Sequence, residues 1–125
     1  MSCNIPVSIG ELWDKYSILV IKKQKIVDLE KLEKINTEIS YLEPFLKQYP
    51  IGIDVLESDI YLCNLELWKI EDEIREKEKR QEFDEEFIQL ARSVYFTNDK
   101  RYNIKSKINE QFNSSIYEVK SYIFH

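Results

Sequence analysis

Asn98, Arg101, Lys105 and Asn109 are the residues of this 125-residue chain whose types and spacing carry the most chemistry. At 100° per residue of an α-helix they fall within about 80° of one another, in the sector that also holds Phe87, Ala91, Val94 and Phe112. An unbroken helix through "SVYFTNDKRYNIKSKIN" (93–109) therefore aims two cations at the core. The same wheel puts Lys23 within about 40° of Ile9 and Tyr16 on the apolar face of a first helix. On a third helix, Glu71 lies on the line of Ile60, Leu67 and Ile74, with Asn64 beside it. Burying an unpaired charge costs on the order of several kcal/mol, so each of these groups needs a partner, water or a ligand.

Three arrangements meet that need. The helix breaks at Thr97, Asn98 and Asp99, all good capping residues, and a new helix turns Arg101 and Lys105 out to solvent. Alternatively, Glu71 forms an internal ion pair with Arg101 or Lys23 that fixes helix register and binds nothing. In the third arrangement, Lys23, Arg101 and Lys105 line a pocket between helices and bind an anion that Asn98 and Asn109 orient. Arginine forks onto carboxylate or phosphate and lysine adds a point charge, which suits such a ligand.

The carboxylates Glu71 and Asp72, with Glu76, Asp84, Glu85 and Glu86, hold only fragments of the E-x-x-E and E-x-x-D spacing of Mg²⁺-binding helical pyrophosphatases. Interspersed Lys and Arg favour a solvated face over a metal site. Eight tyrosines with Trp13 and Trp68 fall mostly on apolar stripes, where core packing outweighs stacking on bases or sugars.

The elements that must position these groups are helices. Only Gly10, Gly52, Pro6, Pro44 and Pro50 punctuate the chain, which predicts a few long helices rather than many strands. Ser8 and Glu11 form a capping box, with Val7 and Leu12 placed as a hydrophobic staple, at the start of a first helix. A second run, about 29–49, has Leu32, Ile35, Ile39, Leu42, Leu46 and Tyr49 in a narrow seam, with Pro44 predicting a kink. A return of the chain near Asp28 makes these two runs a hairpin. "YPIGID" (49–54) is the clearest loop. A third helix from about Asp54 to Arg80 is apolar on more than one side, which predicts a central position. Asp84 caps a fourth helix, with Glu85 and Glu86 suiting its dipole. The tail "SSIYEVKSYIFH" leaves helical spacing and reads as an extended arm.

Hydrophobic residues make up 43% and charged residues 33% of the chain, the balance of one globular domain over 1–125. A net charge of -5 argues against nucleic-acid or anionic-membrane binding. Two cysteines, Cys3 and Cys63, and one histidine, His125, exclude an intrachain Cys/His zinc site and fit a reducing compartment. No apolar run approaches the ~18 residues of a membrane span.

The segments "IPVSIGELWDKYSIL", "LWKIEDEIREKE" and "FIQLARSVYFTNDKRYNIKSKIN", with "VKSY" in the tail, resemble a small family of uncharacterised helical proteins of bacteria and bacteriophages, often encoded near surface-polysaccharide and sugar-nucleotide genes. The resemblance spans nearly the whole chain and brings no activity with it. It adds emphasis on Ser8, Gly10, Glu11, Asp14, Lys15, Glu71, Asp72, Arg75, Asn98, Asp99, Arg101, Lys105 and Asn109. Where relatives carry "LGS" before the tail, this chain reads "QFNSS". Asn113 tolerates the left-handed conformation a helix C-cap needs, so the departure is mild.

These readings converge on an all-α, antiparallel four- to five-helix bundle with a short extended C-terminal arm, cytoplasmic, forming a homodimer through its seam or arm. The expected function is a non-enzymatic binding or accessory protein that needs no cofactor. It would recognise a partner protein or a small anionic metabolite of the sugar-phosphate class. The alternative is a small helical enzyme acting on a phosphorylated or carboxylated substrate, Mg²⁺-dependent, with Glu71 or Asp72 as base or metal ligand.

Overall fold

In the computed structural model, which describes residues 1–120, four α-helices pack as an antiparallel bundle: α1 (Ile9–Lys25), α2 (Leu29–Gln48), α3 (Leu62–Lys79) and α4 (Glu85–Gln111). Each long helix that starts from a loop has a side-chain cap. Ser8 Oγ accepts from the Glu11 amide at 3.0 Å, Asp28 Oδ1 from Lys31 at 3.1 Å and Asp84 Oδ1 from Phe87 at 3.0 Å. These bonds satisfy amides that the helix itself leaves without a partner. α2 continues through Pro44 to Gln48.

The expected third helix is one continuous helical rod with a change of pitch. Val55–Tyr61 is a π-helical segment leading directly into α3. A π turn holds one residue more than an α turn, so it rotates everything downstream around the axis. Ile60, Cys63 and Ile70 are buried along this rod, while Leu62 is 52% exposed.

The central element is α1, not α3. It approaches every other helix and the π segment, whereas the backbone of α2 approaches α1 alone. Leu12 and Trp13 of α1 meet Leu46 of α2 and Ile108 of α4 in the main apolar cluster, and Trp13 Nε1 donates to the Tyr49 carbonyl at 2.7 Å. On α1 itself, Gly10, Asp14, Ser17 and Ile21 fall within about 60° of one another, and all four are buried. The helix thus turns a line of small and polar residues, not a leucine stripe, towards α4.

That choice lets the helices come very close. A β-carbon on Gly10 would lie 2.5 Å from the Lys105 carbonyl oxygen and 2.9 Å from Asn109 Oδ1. The Gly10 amide donates to the same Asn109 oxygen at 2.6 Å. α4 ends in a left-handed residue, Asn113 (φ 49°), with the Ser114 amide returning to the Asn109 carbonyl at 2.9 Å. Asparagine takes the place usually held by glycine there. From Ser115 to Lys120 the chain has no regular secondary structure, and the rest of the expected arm (121–125) lies outside the described residues. Among the described residues there is no strand, and no helix is long and apolar enough to cross a membrane.

Candidate functional site

α4 runs unbroken through Thr97–Asp99, so the first of the three arrangements does not occur: Arg101 and Lys105 do face inward. Neither does the second. Glu71 pairs with Arg75 on its own helix, Nε to Oε2 at 3.5 Å, and both are largely exposed. Lys23 is exposed near the end of α1 and lines neither cavity described below.

The partner of Arg101 is Asp14, which is fully buried. The guanidinium grips it side-on, Nε to Oδ1 at 2.9 Å and Nη2 to Oδ2. Asn64 Nδ2 of α3 also donates to Asp14 Oδ1 at 2.9 Å, and to Ser17 Oγ at 3.2 Å. The hydrogen bonds from Arg101 therefore fix the carboxylate from α4 while Asn64 fixes it from α3. The hydrogen bond to the Asp14 carboxylate, more than offsetting the effect of burial, holds the Arg101 guanidinium above its ordinary range. It stays charged at every working pH.

Lys105, one turn on and 8% exposed, donates to Glu11 Oε2 at 2.7 Å and to Glu118 Oε2 at 3.3 Å, with Asp14 Oδ2 at 3.7 Å. Burial alone would pull the Lys105 ammonium down. The hydrogen bond it donates to Glu11 and the charges of Asp14, Glu11 and Glu118 together outweigh it and raise the ammonium above the ordinary 10.5. Glu11 therefore performs only half of the expected capping box: its amide is capped by Ser8, but its carboxylate reaches across to α4.

Two cavities flank Arg101. The larger, about 540 Å³, has a floor of Ile18, Ile21, Leu67 and Val94 with the buried Asn64, an aromatic wall in Trp68, and a rim of Glu71, Asp72, Arg75, Asn98 and Arg101. The smaller, about 300 Å³, is bounded by Glu11, Asn98, Arg101, Tyr102, Lys105, Glu118 and Lys120. Asn98 and Arg101 line both. Arg101 keeps 28% of its side chain exposed, and its Nη1 makes no hydrogen bond among the described residues; nor does the Asn98 carboxamide. An apolar floor with a few convergent polar groups is how small-molecule sites are built.

Of the residues marked from sequence, Asn98, Arg101 and Lys105 come together. Asn109 is one turn away with its oxygen committed to Gly10, and Glu71 and Asp72 sit across the larger cavity's rim. Among the described residues no group of three His, Cys, Asp or Glu side chains is placed to hold a metal ion. Asp14, Asn64, Trp68 and Glu118 were the residues that helical wheels did not assign to the site. For Asp14 the signal existed: a charge flanked by Gly10 and Ser17 on one helical line marks a close helix contact around a polar group.

The fold and site define a helical-bundle protein with a polar, partly neutralised cleft between three helices. Comparison with protein families, with curated proteins and with solved structures finds no match for the chain.

Proposed function

We propose that this is a binding or accessory protein whose ligand is a small anionic, hydroxyl-bearing metabolite of the sugar-phosphate class, seated in the cleft between α1, α3 and α4. The observation that carries this reading is the pair of solvent-open groups shared by the two cavities that bond to no described residue, Nη1 of Arg101 and the carboxamide of Asn98. Arg101 is held by Asp14 through its other edge, so its remaining donors are oriented before a ligand arrives, and little ordering cost remains at binding. A phosphate or carboxylate oxygen suits those donors. Trp68 offers an apolar face for a sugar ring, and Glu71 and Asp72 offer acceptors for hydroxyls. The free thiols of Cys3 and Cys63 are in keeping with a cytoplasmic location.

The test is a thermal-shift screen against phosphate, sulfate, sugar phosphates, nucleotides and nucleotide sugars, with and without Mg²⁺. A ligand at ~100 times its Kd adds ~2.7 kcal/mol to stability. The shift should vanish in Asn98→Ala and in Trp68→Ala, neither of which leaves a buried charge without a partner. If no anion moves the melting temperature, the reading falls and a protein partner takes the ligand's place.

A further inference from the structure

The smaller cavity already contains an anionic group, supplied by the chain itself. Glu118 belongs to the segment after α4 that has no regular secondary structure, and its carboxylate reaches back to Lys105 at 3.3 Å. Its backbone carbonyl accepts from the Tyr102 hydroxyl at 3.2 Å. Two residues on, the Lys120 ammonium pairs with Glu118 Oε1 at 2.8 Å and sits 5.7 Å from the Tyr102 ring centroid. These contacts lie on the open side of the cavity: 42% of the Glu118 side chain is exposed, against 10% for Lys105. Lys105 meets Glu11 and Asp14 from α1, the second of which is shared with Arg101. Among the described residues, Glu118 is thus the one carboxylate on Lys105 that no helix holds in place.

We infer that Glu118 occupies the subsite of the ligand's anionic group, and that a phosphate-bearing ligand lying across both cavities displaces it and releases residues 115–120 from the bundle. The inference rests on the anion-binding reading above and deepens it. The ligand it specifies has a ring or hydroxyl-bearing part for the Trp68 side and a phosphate for the Lys105 side, joined past Asn98 and Arg101. A phosphate near neutral pH carries more charge than a carboxylate and has three acceptor oxygens, so it competes well for Lys105 Nζ, which Glu118 leaves, and can also reach Arg101 Nη1, which Glu118 does not engage. An arm carboxylate tethered six residues beyond Phe112 is a competitor at high effective concentration. It lowers the affinity of a free anion without closing the site.

The experiment is a titration of the full chain and of Glu118→Gln with inorganic phosphate at matched ionic strength, followed by ¹⁵N–¹H NMR. Glu118→Gln removes a partly exposed charge and leaves the Arg101–Asp14 and Lys105–Glu11 pairs intact. The expected result is a Kd about twofold to fivefold lower in Glu118→Gln, in line with loss of a partly exposed ion pair. Amide signals of 115–120 in the unaltered chain should move, on adding phosphate, towards those of a mobile segment. Equal Kd values with unmoved arm signals overturn the displacement and leave the anion site standing. Absence of phosphate binding in both proteins overturns the anion site and the displacement with it.

Discussion

The Arg101 guanidinium and the Asp14 carboxylate, 87 positions apart in sequence, form a side-on pair in which the acid is fully buried and the base keeps one edge open. That asymmetry divides the work. Asp14 spends its acceptors on α3 and α4, tying three helices together, while Arg101 faces both cavities. A pair buried on both sides would bind nothing, and an exposed pair would hold nothing in place.

Removing one member of this pair is expected to be costly. Arg101→Ala leaves a buried carboxylate with only Asn64 and the more distant Lys105, and should lower unfolding free energy by about 3 kcal/mol or more. The double substitution Asp14→Leu with Arg101→Met should recover most of that loss, because apolar groups need no partner. Urea denaturation of the two single variants and the double variant measures the difference. Similar losses in all three would mean that packing, not charge, is what matters there.

Gly10→Ala should destabilise by roughly 1–3 kcal/mol although alanine is the better helix former. The added carbon meets backbone, the Lys105 carbonyl, at 2.5 Å, and backbone does not rotate away as a side chain does. α1 must shift relative to α4, moving Asp14 with it. A melting temperature equal to that of the unaltered protein would show the crossing to be looser than described.

Asn109→Ala and Asn109→Asp separate two roles of one side chain. Alanine orphans the buried Gly10 amide, at a cost of about 1–3 kcal/mol. Aspartate keeps the acceptor and places negative charge at the N-terminus of α1, where the helix dipole favours it, so it should retain more stability than alanine. Hydrogen exchange at the Gly10 amide reads this directly, being faster in alanine than in aspartate.

The hold of the arm should depend on pH in a stated direction. Lys120 first, and with it Lys105, keep the Glu118 carboxyl below its ordinary 4.5 against the opposing effect of burial. The unfolded or detached arm therefore binds a proton more readily than the docked one, and the contact is fully present above pH 4.5. It is lost progressively as pH falls through the docked value. Lys105 has the opposite sign: its pairing is complete below 10.5 and is lost as pH rises through its raised value. NMR shifts of the Val119 and Lys120 amides should show the acid transition, and Glu118→Gln should abolish it.

Much of the fold was legible because local rules act within a few residues. Ser8, Asp28 and Asp84 begin helices where their side chains reach amides three positions on, and Asn113 ends one by adopting positive φ. The wheel also placed Arg101 and Lys105 inward, since facing depends only on 100° steps. Their partners were not legible. A wheel gives the face of one helix but not the height at which another helix crosses it, and Glu71 and Asp14 both satisfy the charge. The crossing height is set by Gly10 against Lys105, a contact between backbones that no side-chain pattern displays. The π segment was hidden for a similar reason: its pattern of apolar residues differs from an α-helix by a single position.

Since the backbone of α2 approaches only α1, and no residue of α2 lines either cavity, the helix is a natural handle on this molecule. Tyr41 and Phe45 stand on its outer side, 66% and 54% exposed. A fluorophore at either position would sit outside the polar cleft while reporting on the tilt of α1, the one helix that the backbone of α2 approaches. Such a label turns the helix that contributes least to the cleft into the pointer from which its movements are read.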